Sequence, residues 1–372
     1  MTTQPDKHQK HAALKRPALG DFGRNEIGIL GAPCGLIREL AQQWCAVLGE
    51  QWKVSFVDAD HHEEAQLWRG ADLIYTDKIS FGRIDFKQEH KPFRNRVLFN
   101  DQDLILINGN HFKAQKQIAI IHPAKSLEKK LEKLTDVQLI LLADGVTEVP
   151  AFLNHLADVP VLKLEQQAEI LQFLQTQLTA AIPPIHGLVL AGGKSIRMQT
   201  DKGSIAYHGQ NQRIHTHHLL AEFCDEVSLS GAEEEGLPTI PDTFIGLGPF
   251  GGILSAMQKN PNAAWLTLAC DLPYLTSATL QYLVGRRNPS KLATAFLDSD
   301  AQFPEPLITI WEPCAYPVML QFLSQGYSCP RKVLINSDIE LLHAPDVKEF
   351  RNVNRPEERD EALRFFKGEA SA

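Results

Sequence analysis

Apolar positions in the first half of the chain fall into short runs separated by helical spacings. Ile27, Ile29 and Leu30 mark a strand over Asn25 to Gly31, and Gly31-Ala32-Pro33-Cys34-Gly35 reads as a tight turn. Leu36, Leu40, Trp44 and Leu48 then recur at i, i+4 spacing, which predicts a helix over about Leu36 to Leu48. Val54-Ser55-Phe56-Val57, within Lys53 to Asp58, is the next strand. A strand–turn–helix–strand unit of this kind predicts a parallel sheet. Further strands are expected at Asp72 to Tyr75, Phe81 to Phe86, Leu104 to Ile107, Ile118 to Ile121, Leu139 to Leu142 and Val161 to Leu164. Helices are expected over Ser126–Leu134, with Ser126 as N-cap and Glu128 in the first turn, and over Glu165–Leu178.

Ala181-Ile182-Pro183-Pro184 interrupts this pattern. Consecutive prolines end a helix and favour an extended spacer, so the chain divides here. The expected organisation is a disordered tail over 1–22, one domain over 23–181 and a second over 182–372. In the second half, Gly187-Leu188-Val189-Leu190 is a buried-type strand that runs into Ala191-Gly192-Gly193. A helix over about Gln212 to Phe223 and a strand at Glu226 to Ser230 follow. Gly246-Leu247-Gly248-Pro249 opens another helix, and Ala264 to Ala269 is a wholly apolar strand ending at Cys270-Asp271-Leu272-Pro273. Ala293–Leu297 and Glu305–Trp311 form a hairpin-like pair around Asp298-Ser299-Asp300. Tyr327 to Leu334 and Ile339 to His343 read as a helix or loop and a strand, and a short helix over about Glu357 to Lys367 closes the chain.

Composition narrows the class. The 372 residues are 44% hydrophobic and 22% charged, as expected of a water-soluble globular protein of two ordinary domains. No apolar run reaches membrane-spanning length, and Met1 to Ala18 is polar and basic without the apolar stretch of a secretory signal. Cys34, Cys45, Cys224, Cys270, Cys314 and Cys329 are scattered with no C-x-x-C pair, so free thiols in a reducing cytoplasm are expected. The net charge of −8 argues against a nucleic-acid partner. A polyanionic ligand would need local cations or a metal ion.

Candidate chemistry lies at the strand ends. The Gly31–Gly35 turn sits where a P-loop would sit, but Leu36 and Ile37 occupy the positions of its Lys and Ser/Thr. Tight binding or hydrolysis of a nucleoside triphosphate is therefore not expected there. Asp58-Ala59-Asp60-His61-His62-Glu63 contains potential metal ligands, yet without a distant fourth ligand it reads as a solvated strand end. His215, His217 and His218 fall in one helix, and the i, i+3 pair reads as a surface feature rather than a metal pair. The stronger signal is the loop after Leu190. Two glycines let the backbone approach an anion, and Arg197 and Lys202 add a planar and a point positive charge. Asp242 can accept hydrogen bonds from a base or ribose. Gly248 stands before a helix whose first N–H groups can face an anion. Asp271 ends a central strand, where open α/β sheets bind ligands, and one carboxylate with phosphate oxygens and water suits Mg²⁺.

Taken whole, Leu190-Ala191-Gly192-Gly193-Lys194-Ser195-Ile196-Arg197-Met198-Gln199-Thr200-Asp201-Lys202 resembles the signature of the molybdenum cofactor guanylyltransferases, the MobA family. That signature reads L-A-G-G-x-S-x-R-M-G-x-D-K, and only Gln199 departs from it. Asp242 with Gly248-Pro249-Phe250-Gly251-Gly252-Ile253, then Cys270-Asp271-Leu272-Pro273, then Asn352-Val353-Asn354-Arg355-Pro356-Glu357 resemble further elements of the family in the same order. The resemblance runs from about Ile185 to the end. It implies an α/β chain of two three-layer α/β/α domains, the second a Rossmann-like domain of the nucleotide-diphospho-sugar transferase type. It implies a catalytic set of Arg197, Lys202 and Asp271, nucleotide contacts from Leu190, Ala191, Gly192, Gly193, Lys202, Asp242, Gly248 and Asp271, and Mg²⁺ on Asp271. It also implies GTP and molybdopterin as substrates, acceptor molybdoenzymes as partners, and a cytoplasmic location with no membrane or nucleic acid involved. Cytidylyl or sugar-phosphate transfer on the same fold, and a non-catalytic carrier role, are the alternatives. The first half resembles the MobB family, P-loop adapter proteins, through Ile27–Leu48, Asp58–His62 and the Asn108-Gly109 strand end. This implies a P-loop-like first domain that acts as a scaffold or adapter.

Overall fold

The structure, a computed structural model, describes residues 20–59, 72–87, 92–192 and 201–368. The chain divides into two compact units, Met1–Leu178 and Thr179–Ala372. The described part of the first unit contains β1 (Glu26–Leu30), α1 (Cys34–Leu48), β2 (Val54–Val57), β3 (Leu73–Asp77), β4 (Gly82–Phe86), α2 (Pro92–Leu98), β5 (Leu104–Asn108), β6 (Lys116–Ile121), β7 (Val137–Leu142) and β8 (Val161–Lys163). Helix α3 (Gln167–Ala180) follows and runs across the division.

Six strands form one sheet in the order β2-β5-β1-β6-β7-β8, and every neighbouring pair is parallel. Crossover connections between these parallel strands cover both faces, and the central strands β1, β5, β6 and β7 are accordingly buried on both. Alternate residues go to opposite sides. Ile27, Ile29, Leu104, Leu106, Ile118, Ile120, Leu139 and Leu141 pack against α1 and α3. Leu30, Ala119, Ile121, Ile140 and Leu142 pack against Leu127, just before one 3-10 segment, and Leu153 within another. Trp44 of α1 is fully buried, and its Nε1 donates to Gln167 Oε1 at 3.0 Å, which ties α1 to α3.

One local expectation needs correction. The helix expected over Ser126–Leu134 is a 3-10 helix, Glu128–Lys133, broken at Lys130 (φ −137°, ψ 26°). Leu127, not Ser126, precedes it, and no side chain caps it. A segment this short gains little from helix propagation, so burial of Leu127 on the sheet decides its shape. The strands expected near Tyr75 and Phe86 form, and among the described residues they pair with each other as an antiparallel β3–β4 hairpin outside the main sheet.

The second unit contains β9 (Ile185–Leu190), α4 (Gln212–Ala221), β10 (Glu226–Ser230), β11 (Thr239–Ile240), α5 (Pro249–Lys259), β12 (Ala264–Ala269), α6 (Ser277–Gly285), β13 (Ala293–Leu297), β14 (Pro304–Trp311), α7 (Ala315–Ser324), α8 (Pro330–Ile335), β15 (Glu340–Leu342) and α9 (Pro356–Phe366). Its seven-stranded sheet has the order β11-β10-β9-β12-β14-β13-β15. β9 to β12 are mutually parallel where they pair, and β14 lies antiparallel to both β12 and β13. α4 and α6 cover one face, and α5, α7 and α8 the other, which makes the unit a three-layer α/β/α domain. Helices α6 and α7 have no counterpart in the pattern read above. Thr276 caps α6 through its side chain, and α7 carries Pro317 in its first turn, where proline is tolerated. No helix among the described residues is long and apolar enough to cross a membrane.

Trp44→Ala would leave a large cavity and an unpaired Gln167 between α1 and α3. A loss of about 3–5 kcal/mol is expected, read from denaturant unfolding of the full chain.

Candidate functional site

Parallel register brings three strand ends to one edge of the second sheet. Leu190 at the end of β9 lies beside Ala269 of β12 on one side and Ser230 of β10 on the other. The backbone continues this register one step further, since Ala191 N donates to Ser230 O at 2.9 Å. Sequence order leaves β9 for β10 on one side, while β12 joins on the other. A crevice therefore opens at the carboxyl ends, as it does at a switch point of an open α/β sheet.

A cleft of about 800 Å³ occupies this place. Leu190, Ala191, Gly192, Lys202, Asp242, Gly248 and Asp271 all line it, so these residues expected at the site do converge. Gly193, Arg197 and Gln199 lie outside the described residues. The lining also includes residues given no site role from the sequence, among them Asp201, Ser230, Gly231 and Asn354. Ser230-Gly231 could have been found as a glycine directly after a strand, the same signal that marks Leu190 to Gly192.

The glycines have a steric reason. Gly231 has φ +79°, and a Cβ there would stand 2.5 Å from Gly192 Cα. A Cβ on Gly192 would in turn meet Gly231 Cα at 3.0 Å. The two backbones close on each other, and any side chain would wedge them apart. Gly248 has φ +56° and sets the chain into α5, with Pro249 at the first helical position.

Lys202 Nζ lies 3.3 Å from Asp271 Oδ2 and also donates to Asn354 Oδ1. Both ends of this contact are braced. Asp201 accepts from Gly203 N at 3.1 Å and thereby caps the 3-10 turn Lys202–Ser204. Asp271 O accepts from Val353 N at 3.0 Å, which fastens the chain before α9 to the β12 tip. Glu358 in the first turn of α9 accepts from Asn354 N at 2.7 Å and Arg355 N at 3.0 Å, which fixes Asn354. Asp242 Oδ1 accepts from Ser230 Oγ at 2.7 Å. Asp271 Oδ1 is buried and has no hydrogen-bond partner among the described residues. A buried carboxylate oxygen without a donor is costly, so this atom suits an incoming cation.

The second unit matches a family model, the MobA-like NTP transferase domain, over residues 187–339. A molybdenum cofactor biosynthesis bifunctional protein of Synechocystis is 37% identical over 182 residues, 47% of this chain and 52% of that protein. This chain thus spans about half the length of that relative. A probable molybdenum cofactor guanylyltransferase of Synechococcus elongatus is 33% identical over 152 residues, 37% of this chain and 77% of that protein. The chain belongs to the molybdenum cofactor guanylyltransferase family. A solved structure of a MobB protein homolog from Bacillus stearothermophilus aligns with 42% of this chain and 99% of its own, at 16% identity and a TM-score of 0.33.

Elsewhere in this guanylyltransferase-family chain, the other candidate clusters resolve differently. In the first unit, Asp58 is held by Arg38 at 2.8 Å and Asn108 at 2.7 Å, while Asp60, His61, His62 and Glu63 lie outside the described residues. The turn after β1 carries Cys34, 3.2 Å from His111 Nε2, with Leu36 and Ile37 at the positions that would need Lys and a hydroxyl. Of the α4 histidines, His218 is exposed as expected, while His215 departs from the surface reading. His215 is half-buried and stacks on His208 at 3.8 Å between ring centroids. His208 Nε2 donates to the Pro273 carbonyl at 2.9 Å, two residues after Asp271, and its ring packs on Phe366 of α9 at 4.3 Å. Burial, with added repulsion from His208 and His218, pushes His215 from the ordinary 6.5 down to about 4.

That shift has a sign. Between about pH 6.5 and 4 the unfolded chain binds a proton on His215 that the folded chain refuses, so folding weakens as pH falls through this window. The thermal midpoint of the second unit is expected to be lower at pH 5 than at pH 7. His215→Phe is expected to flatten that dependence, as read from melting curves across the range.

Proposed function

We propose that the second unit transfers GMP from GTP to the terminal phosphate of molybdopterin, releasing pyrophosphate and forming a guanine dinucleotide. The observation that carries this reading is Lys202 against Asp271 in a glycine-walled cleft at the carboxyl edge of the sheet. The close Gly192–Gly231 backbones leave the cleft wall free of side chains, so a nucleotide can approach main-chain N–H groups. Asp242, oriented by Ser230, takes the hydrogen bonds of the base or ribose. Lys202 holds a phosphate oxygen and offsets the charge that builds up during transfer. Arg197 joins it from the signature loop.

In the chemical step a phosphate oxygen of molybdopterin forms a bond to the α-phosphorus. The bond from that phosphorus to the α–β bridging oxygen breaks, and its electron pair leaves on pyrophosphate. The nucleophile is already an anion, so alignment and charge compensation matter more than proton removal. Asp271, with its unpartnered buried oxygen, fits a divalent cation. Mg²⁺ held there would bind phosphate oxygens and neutralise the leaving group. The first unit, without the P-loop Lys and hydroxyl, serves as an adapter that presents cofactor or an acceptor molybdoenzyme. A cytoplasmic biosynthetic role agrees with the free cysteines.

Lys202→Ala and Asp271→Asn are each expected to lower the rate of pyrophosphate release with GTP and molybdopterin by about 10²–10³-fold, with the fold retained. Turnover with CTP or UTP in preference to GTP would replace the guanylyl reading with another nucleotidyl transfer. Delivery of cofactor unchanged in both variants would leave only the carrier role.

A further inference from the structure

Arg213 is an unusual residue to find under a nucleotide cleft. It lies in the first turn of α4 and is only 8% exposed. Its Nη2 donates to both oxygens of Asp201, at 2.6 and 2.5 Å, and its Nη1 lies 3.7 Å from Glu234 Oε2. Glu234 is itself held by Asn211 Nδ2 at 2.8 Å, and Asn211 caps the same helix through Ile214 N at 2.9 Å. The guanidinium is therefore fixed on a rigid element by a second carboxylate that is also fixed.

Asp201 passes this rigidity to the cleft. Its carboxylate accepts from Gly203 N, and its carbonyl accepts from Ser204 N at 3.1 Å and Ser204 Oγ at 2.8 Å. The whole Lys202–Ser204 turn thus hangs on one residue. Gly203 lies so close to the guanidinium that a Cβ would stand 2.5 Å from Arg213 Nε, so the turn rests directly on Arg213 as well. Lys202 leaves this turn and reaches Asp271 and Asn354 across the cleft.

We propose that Arg213 is a positioning residue for nucleotidyl transfer: through Asp201 and Gly203 it sets the direction of Lys202 toward Asp271. Arg213 does not itself touch substrate. Lysine could supply the charge but not the planar group that spans Asp201, Glu234 and the face of Gly203. The assignment rests on the role given to Lys202 above, and its test separates the two.

The test uses the full chain with Arg213→Gln, Arg213→Lys, Asp201→Asn and the double variant Arg213→Gln with Asp201→Asn, each checked for folding by circular dichroism and melting. With GTP and molybdopterin, Arg213→Gln is expected to lower kcat by roughly 10–100-fold and to change the GTP KM by no more than about threefold, as misaimed charge should. The double variant is expected to lose no more than the worse single variant, because both act through one contact. Guanidinium ion added to Arg213→Gln is expected to restore part of kcat, and Arg213→Lys to fall between the two. A readout independent of turnover is the acylation rate of Lys202 in the nucleotide-free chain, followed by peptide mass spectrometry. It is expected to rise equally in Arg213→Gln and Asp201→Asn. Were the parent chain to transfer no nucleotide at all, the proposed function would fail while the Lys202 acylation arm still tested the brace. Folded variants with parent kcat and parent Lys202 acylation, or losses that add in the double variant, would overturn the assignment. If Arg213→Gln does not fold, Arg213→Lys with unchanged kcat and Lys202 acylation does the same.

Discussion

Parallel pairing of β9 with β12 is the constraint on which the site depends. Lys202 and Asp271 are 69 residues apart in the chain, yet they lie 3.3 Å apart in space. The register Leu190 to Ala269 makes this possible, because it ends both strands at one level. A shift of two residues in that ladder would move Asp271 by about 7 Å along the strand axis and break the contact with Lys202. The burial of Leu188, Leu190, Trp265 and Leu268 holds the ladder in place. Core packing and site geometry are here one requirement.

Much of this was legible in the residues. The apolar runs Gly187 to Leu190 and Ala264 to Ala269 announce buried parallel strands, and the glycines and Asp271 that follow them announce a carboxyl-edge site. The convergence of Asp242 and Gly248 on the same cleft followed from the order of motifs. What the pattern could not show depends on tertiary partners. Arg213 reads as one more polar residue in an amphipathic helix, and only the fold reveals that it is buried against Asp201. Asn354 sits in a recognisable motif, but its contact with Lys202 spans 152 residues. Helices α6 and α7 were missed because α6 buries few of its residues and α7 begins near a proline. The same limit explains the Ser126 segment and His215 of α4, where packing against Leu127 and His208 outweighed local propensity.

The first unit shows the opposite relation between fold and chemistry. Its sheet, turn and helix are all present, with the continuously buried central strands of a parallel sheet covered on both faces. The residues that a triphosphate would need after the turn are replaced by Leu36 and Ile37. A fold is stabilised by its core and tolerates changes in its loops, so the same architecture can carry different residues at this turn.

Charge compensation explains why the second unit is built as it is. The chain carries a net charge of −8, so no long-range field draws a triphosphate in. Among the described lining residues, Asp201, Asp242 and Asp271 face a single amine, that of Lys202. Left as three free carboxylates, this wall would repel a polyanion. Asp201 is matched by the buried guanidinium of Arg213, and Asp242 spends one oxygen on the Ser230 hydroxyl. Only Asp271 keeps a buried oxygen without a partner, and it does so beside the amine. The acidic residues are thus divided by their neighbours into two with partners and one with a buried oxygen that has none. On the reading proposed above, a divalent ion at Asp271 would convert the one remaining repulsive group into an attractive one, and Lys202 would supply the second positive point on the same phosphate chain.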